Sequence, residues 1–407
     1  MFSQGWLVIG GLLLILGLAV HGGGPFLIGL VLLLGAGTSF LSHRHCLDRV
    51  EFRRTFTPRR AFYGEEIRLT LEVTNRKPLP LAWLELTDEL PEEVVPTRGR
   101  IIPSLRQRRQ YLVHLFSLRW YERVRRRVTV TCTARGYFAM GPARVRSGDL
   151  FGITSQGKDL ESTDHLIVYP RVVPLEALGI PALHPLGDHR SRRPLLEDPT
   201  RTIGIRDYQA TDPLRRVHWK ATARLGRLQT RQYEATTVHR LVIFLNMDTL
   251  GEYAEYRGFV RPLLELNVMV AASVAAWADA EGHPVGLIAN GYLPEGLRRV
   301  RLAPALGSRH LTSILEALAK VFPTPIMPIG DLMYLEAGGL PWGTTAIVVT
   351  AVIDPSLRVG VARLQDAGHT VELVLIGDRV EDPDLHVPTH RVRGEVGWRA
   401  MDEIRLI

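Results

Sequence analysis

The chain has 407 residues, 46% of them hydrophobic, only two cysteines and a formal net charge of +8. That length asks for two or three hydrophobic cores, and that composition excludes global disorder. Cys46 and Cys132 show neither CxxC nor metal-ligand spacing, which excludes a disulfide framework and a zinc site; the basic balance fits an anionic membrane surface, an acidic partner or nucleic acid without choosing among them.

Two apolar runs, Gly5–Val20 and Phe26–Phe40, flank the break His21-Gly-Gly-Gly-Pro25. Each run is close to the roughly 20 residues that a bilayer-spanning helix needs, and the break reads as a turn. Met-Phe-Ser-Gln at the start lacks the basic residues of a signal peptide. Residues 1–41 are therefore expected to form a transmembrane helical hairpin in the plasma membrane. The turn holds no Lys or Arg, whereas Arg44, Arg49, Arg53, Arg54, Arg59 and Arg60 follow the second run. The positive-inside rule then places the remaining domains in the cytoplasm, a reducing compartment that agrees with the cysteine usage.

Residues 48–170 read as an antiparallel β-sandwich of immunoglobulin type. Ile67–Val73 alternates apolar and polar residues, Leu81–Leu86 repeats the pattern, and Arg127–Ala134 places Val128, Val130 and Cys132 on one face. Cys132 is then a core residue rather than a nucleophile. Arg119, Arg123, Arg125, Arg126 and Arg127 surround Trp120 and Tyr121. Basic residues among aromatics suit single-stranded nucleic acid or, as a solvated hairpin tip, anionic lipid headgroups.

Residues 183–237 comprise a polar, proline-bearing linker, 183–200, followed by a segment dense in arginine and aromatic residues. Thr211-Asp212-Pro213 reads as a helix start, with Asp212 as cap and Pro213 in the first turn, and Gly226 as its stop. Leu214, Val217, Ala221 and Leu225 would make an apolar stripe that docks on a body, with His218 at its border. Arg215 and Trp219, four apart, would stack as a cation–π pair. Arg224, near the stripe, would need a buried partner. Two roles stay open for the segment: locking a linker between domains, or presenting a recognition surface to another protein. Asp207, Asp212 and His218 have no nucleophile at a triad-like position, and the patterns GxSxG, HExxH and GxxxxGK[ST] are absent.

Residues 238–407 alternate strands and helices, the mark of a parallel sheet covered on both faces. Leu241–Leu245, Val285–Ala289, Ala346–Val349 and Val371–Ile376 are the predicted strands. Arg261–Ala280, the Leu311–Val321 region and Pro355–Ala367 are the predicted helices. At the end of the first strand, Asn246, Asp248 and Thr249 offer oxygens that, with Thr350 or Asp354, would address Mg2+ or Ca2+. One carboxylate with scattered oxygens is a poor site, and no metal or cofactor is expected.

The chain resembles the bacterial domain of unknown function 58 family of membrane proteins. The pattern Arg-x-Tyr-x-x-Gly-Asp-x-x-Arg-x-Ile-x-Trp-x-x-x-Ala-Arg is matched at Arg206, Tyr208, Asp212, Arg215, Trp219, Ala223 and Arg224, with Thr211 in place of the glycine. Arg135-Gly136-Tyr137, Gly141-Pro142, Asp149-x-Phe151-Gly152 and Tyr169-Pro170 fit the family upstream. The last domain resembles a von Willebrand A domain whose metal motif, Asp-x-Ser-x-Ser, stands here as Asn246-Met-Asp248-Thr249-Leu250. The resemblance implies a partner of the MoxR-type AAA+ ATPase class, or that ATPase's client. The expected fold is a membrane-anchored multidomain α+β chain: transmembrane hairpin, immunoglobulin-like sandwich and von Willebrand A-like α/β domain over 238–407. The expected role is that of a non-enzymatic adaptor or scaffold with the lipid bilayer as a further partner. Its signature residues would be Arg206, Tyr208, Asp212, Arg215, His218, Trp219 and Arg224. A nucleic-acid-binding module and a hydrolase are the alternatives.

Overall fold

The computed structural model describes residues 2–19, 23–149, 155–180, 197–209, 212, 214, 217–235, 239–250, 259–294, 298–377 and 385–393. The chain divides into two units, Met1–Pro170 and Arg171–Ile407.

The first unit opens with α1 (Phe2–Ala19) and α2 (Gly23–His45). Gly23, Gly24 and Pro25, read from sequence as part of a turn, lie in the first turn of α2. Proline is tolerated there because the amide it lacks has no intrahelical acceptor. Glycines let the two helices approach closely: a Cβ at Gly17 would lie 2.4 Å from the Phe26 amide nitrogen, and one at Gly29 would lie 2.6 Å from that of Leu14. Val8, Leu12, Ile15 and Leu16 of α1 and Leu27, Ile28, Val31 and Leu34 of α2 stay exposed. Both are short apolar helices, Val8–Ala19 and Gly23–Ser39 being their apolar cores.

The strands that follow are β1 (Val50–Thr57), β2 (Arg60–Phe62), β3 (Glu66–Asn75), β4 (Leu81–Pro91), β5 (Val94–Pro96) and β6 (Arg100–Pro103). Then come β7 (Arg109–Leu118), β8 (Arg123–Cys132), β9 (Gly136–Met140), β10 (Ala143–Gly148), β11 (Ser155–Leu160) and β12 (Asp164–Tyr169). They build sheets of order β1-β3-β8-β5 and β11-β10-β4-β7-β6, both antiparallel, and a small sheet β2-β12-β9. Alternation explains the pairing. Leu69, Leu71, Val73, Val128 and Val130 of one large sheet meet Leu84, Leu86, Leu112, Phe116 and Val145 of the other in one core. Cys132 is buried in that core, and burial pushes its thiol up to about 12.

An ion pair sits inside this core. Arg54, on the same face of β1 as Phe52 and Phe56, sends Nε and Nη2 to the two carboxylate oxygens of Asp88 on β4. Both side chains are fully buried. Asp164 and the Ser162 carbonyl accept from the same guanidinium at 3.5 and 3.4 Å. Arg54, counted above among the basic residues flanking the membrane, is therefore a core residue.

The second unit contains β13 (Glu197–Asp207), α3 (Trp219–Leu225), β14 (Gln229–Ala235), β15 (Leu241–Leu245) and α4 (Arg261–Ala280). It continues with β16 (Val285–Leu293), β17 (Arg298–Ala305), α5 (Ser308–Lys320), α6 (Ile329–Glu336), β18 (Thr345–Thr350), α7 (Pro355–Asp366), β19 (Thr370–Ile376) and β20 (Thr389–Val392). The stretch 197–200 is thus strand rather than linker; 181–196 lies outside the described residues. β13 and β14 pair antiparallel as a separate ribbon. The main sheet has the order β17-β16-β15-β18-β19-β20, parallel except for the edge strand β17. Every residue of β15 and β18 is buried, as both-face coverage demands. Val242 and Phe244 of β15 share a core with α6 and α7; α4 packs on β15 as well. Helix α4 is long and apolar enough to cross a membrane, yet most of it is buried in this unit.

Removing one member of the Arg54–Asp88 pair strands a buried charge. Arg54→Met is expected to destabilise the first unit by about 3–5 kcal/mol, whereas Arg54→Met with Asp88→Leu recovers most of the loss. Chemical denaturation of the purified variants measures both.

Candidate interaction site

The signature segment folds as a strand, a short helix and a returning strand. Its anchor is a fork: Arg206 Nη1 and Nη2 donate to Asp212 Oδ2 and Oδ1, each at 2.7 Å. Asp212 Oδ2 also accepts the Gln209 amide at 2.9 Å. The hydrogen bonds from Arg206, then the one from Gln209, pull the Asp212 carboxyl down to about 2. Asp212, read from sequence as the cap of a helix starting at Pro213, gives both carboxylate oxygens to this fork; Pro213, Arg215 and Arg216 lie outside the described residues.

Helix α3 starts seven residues later, at Trp219, and His218 is its cap: Nδ1 accepts the Ala221 amide at 3.0 Å. That bond places the imidazole proton on Nε2. The His218 amide in turn donates to the Gln229 carbonyl at 2.7 Å. The buried Gln229 sends Nε2 to Asp207 Oδ1 at 2.5 Å and takes the Thr222 hydroxyl oxygen on its own amide at 3.1 Å. The Tyr208 amide donates to the Leu228 carbonyl at 3.0 Å. Gly226, at φ 67°, ends the helix in a left-handed turn that glycine adopts without strain.

The docking stripe expected of Leu214, Val217, Ala221 and Leu225 does not form. Val217 alone is buried, through a β-bridge to Thr230, and α3 buries none of its own residues. Trp219 is 66% exposed, Leu225 56%, and Leu214 is exposed too. Arg224, expected near a buried partner, faces solvent. The helix is only seven residues long, too short for a stripe to repeat. Arg215, and with it the stacked pair with Trp219, lies outside the described residues. Of the sequence-predicted set, Arg206 and Asp212 are joined directly; Tyr208 and His218 hold the ribbon and helix by other bonds. Gln229 went unremarked in the sequence, and Asp207 was weighed there only for catalysis, although a buried glutamine at the turn between ribbon and helix is where such a bridge is needed.

A second polar cluster lies at the carboxyl ends of β15, β16 and β18, where parallel sheets form crevices. Asn246 Nδ2 donates to Thr350 Oγ1 at 2.9 Å, and Asn246 Oδ1 accepts from Asn290 Nδ2 at 2.8 Å and from the Asp248 amide at 3.0 Å. Asn290 Oδ1 takes the Met247 amide at 2.7 Å, and Asn267 Nδ2 donates to the Asn246 carbonyl at 3.0 Å. Asp354 caps α7 by accepting the Leu357 amide at 2.9 Å. A cleft of about 450 Å³ opens beside these groups, walled by Pro325, Ile326, Met327 and Ile353.

A divalent ion of the von Willebrand A type does not fit this cluster. The Asn246 and Asn290 amides satisfy one another and the backbone, so N–H donors stand where an ion needs anionic oxygen. Thr350 Oγ1 is occupied by Asn246 and donates to the Val352 carbonyl. Among the described residues, no three or more His, Cys, Asp or Glu side chains gather as metal ligands.

With this geometry in place, comparison with known proteins locates the similarity. Residues 204–335 match the family described as "Protein of unknown function DUF58", a span that holds the signature segment and the first part of the main sheet. The chain is 26% identical over 237 residues to "Uncharacterized protein YeaD" of Bacillus subtilis (strain 168), which covers 56% of this chain and 52% of that protein. It thus spans about half the length of that relative. Among solved structures, a cohesin module from a Clostridium perfringens family 33 glycoside hydrolase aligns with 30% of this chain and 95% of its own, at 12% identity and TM-score 0.20. Spo0M, a sporulation control protein from Bacillus subtilis, aligns with 33% and 56%, at 16% identity and TM-score 0.19. Scores this low carry no argument about either unit.

The Asp212 carboxyl is held below its ordinary value, so its contribution to stability is complete above about pH 4 and disappears as pH falls toward 2. The stability advantage of the parent over Asp212→Asn is expected to shrink across that interval, read by denaturation midpoints at successive pH values.

Proposed function

We propose that the chain is a non-enzymatic, membrane-anchored adaptor that presents the β13–α3–β14 segment to a protein partner. The observation that carries this reading is helix α3. Hydrogen bonds to Ala221, Thr222 and Gln229 fix it in place, yet it leaves Trp219 and Leu225 in water. A rigidly held, exposed tryptophan is the kind of residue that anchors interfaces. Chemistry has little support here, since His218 Nδ1 is spent on a backbone amide and no hydroxyl or thiol nucleophile bonds its ring among the described residues.

The anchor in this reading is the α1–α2 pair. Apolar side chains on the outside of both helices favour lipid, and glycine-mediated contact between helices is how apolar helices associate inside a bilayer. At 1.5 Å per residue, α1 and α2 would be about 27 and 35 Å long, which brackets a hydrocarbon core of about 30 Å. The arginines after α2 favour a cytoplasmic position for the rest of the chain. The antiparallel sheets with a shared core support an immunoglobulin-like sandwich. The strand order of the second unit, with its one antiparallel edge strand, supports a von Willebrand A-like domain whose ion site has been replaced by an amide network. Family resemblance points to a MoxR-type AAA+ ATPase, or its client, as the partner.

Crosslinking in native membranes followed by pull-down tests the reading. Trp219→Ala with Leu225→Ser, both at exposed positions, is expected to leave the fold intact and to lose the partner that the parent captures. Retention of every partner by the folded variant would contradict the role given to α3.

A further inference from the structure

Hydrogen bonds lead in short steps from the end of α2 to an exposed aromatic turn. Lys77 Nζ donates to the carbonyls of Cys46 and Asp48 at 2.5 and 2.9 Å, which fastens the residues just past α2 to the β3–β4 loop. The Lys77 carbonyl accepts the Tyr121 amide at 3.2 Å. The buried Asn75 sends Nδ2 to the carbonyls of Leu79 and Arg119, both at 2.9 Å, and its amide to the Glu122 carbonyl at 2.8 Å. The β7–β8 turn is therefore held beside the point where α2 ends. Higher on α2, Ser39 Oγ donates to Asp149 at 2.7 Å and adds a second tie to the same end of the sandwich.

This turn displays two large aromatic side chains side by side. Trp120 is 65% exposed and its neighbour Tyr121 67%. Tyr121 also has φ 53°, a left-handed conformation that favours glycine or asparagine and costs a bulky residue energy. Arg49, likewise left-handed at φ 51°, lines a cleft of about 400 Å³ with His45, Asp48, Lys77, Pro78 and Leu79. Around this end Arg44, Arg49 and Arg119 are exposed, while Arg76 pairs with Glu51 and Arg123 with Glu72.

We propose that this end of the sandwich is a second membrane contact, in which the Trp120–Tyr121 turn enters the headgroup layer of an anionic bilayer and Arg49 and Arg119 meet lipid phosphates. The inference rests on the reading of α1 and α2 as membrane-embedded. Tryptophan and tyrosine are enriched at that depth because their rings are apolar and their N–H and O–H groups stay hydrated. Arginine pairs with phosphate oxygens through two parallel hydrogen bonds, and an anionic leaflet attracts juxtamembrane basic residues. The hydrogen-bonded path from α2 accounts for the placement, and contact with lipid would cover the two exposed rings.

Nitroxide labels on the full chain test this. Both native thiols are buried, so Leu16→Cys, Tyr121→Cys and Leu105→Cys each offer one reactive site. Position 105 lies beyond the opposite end of β7, whose ten residues span about 33 Å. The protein is reconstituted into vesicles of phosphatidylcholine with phosphatidylglycerol, and collisions with oxygen are compared with collisions with an aqueous nickel chelate. The proposal predicts that oxygen is favoured several-fold at positions 16 and 121 and the chelate at 105. Omitting phosphatidylglycerol should weaken the effect at 121 and leave 16 unchanged; Trp120→Cys, a second reporter in the same turn, should behave as position 121 does. A label in lipid at 16 with 120 and 121 in water would overturn the proposal alone. Water at 16 would overturn the hairpin reading and the proposal with it. Immobilisation of the label at 121 by a single-stranded oligonucleotide in low salt, with no lipid contact, would reassign the turn to nucleic acid.

Discussion

A lysine ammonium cannot be buried unless oxygen atoms replace its water, and Lys77 is buried. Its solution is to take the carbonyls of Cys46 and Asp48, the first groups of the chain past α2. Burial lowers its pKa, and those two carbonyls supply the hydrogen bonds that hold it in place. The result is a joint: the end of the apolar helix pair, the start of β1 and the β3–β4 loop become one piece. The exposed apolar surface of α1 and α2 and the aromatic turn on β7–β8 are thereby held at the same end of one sandwich. A membrane reading of the helices has consequences for the sandwich because this joint ties the two together.

The two units handle buried polarity differently. In the sandwich a full ion pair, Arg54–Asp88, crosses from one large sheet to the other. Burial raises the Asp88 carboxyl while Arg54 draws it back, and such a pair contributes register and specificity more readily than net stability. In the second unit the crevice at the carboxyl ends of the strands holds neutral amides that satisfy one another. A crevice closed from within needs no ion to keep its shape. The ribbon, by contrast, is held by a charged fork, Arg206–Asp212.

Elements whose burial is set by neighbours in sequence were legible. Leu241–Leu245 has no polar residue, and only a strand covered on both faces tolerates that. Arg261–Ala280 and Ile67–Val73 showed their periods directly. Edge strands were not: β17 carries three exposed arginines around Val300 and reads as a loop. Nonlocal partners misled the rest. The described helix α3 is capped by His218, while the Asp212 carboxylate is held by a guanidinium six residues upstream. Arg54 stood in a run of arginines and was read as membrane flank. Its alternation with Phe52 and Phe56 was the available sign that it points inward, and only Asp88, 34 residues away, makes that placement tolerable. His218 lay at the edge of a stripe drawn for a longer helix, so its capping role appears only once the helix start is known.

The central claim is that the α1–α2 pair holds both folded units on the inner side of a bilayer. Protease added to sealed membrane vesicles of known orientation tests it most directly. The account predicts that inverted vesicles lose the chain beyond residue 45 while right-side-out vesicles protect it. Digestion of that part of the chain in right-side-out vesicles, or its release from membranes by salt alone, would contradict it.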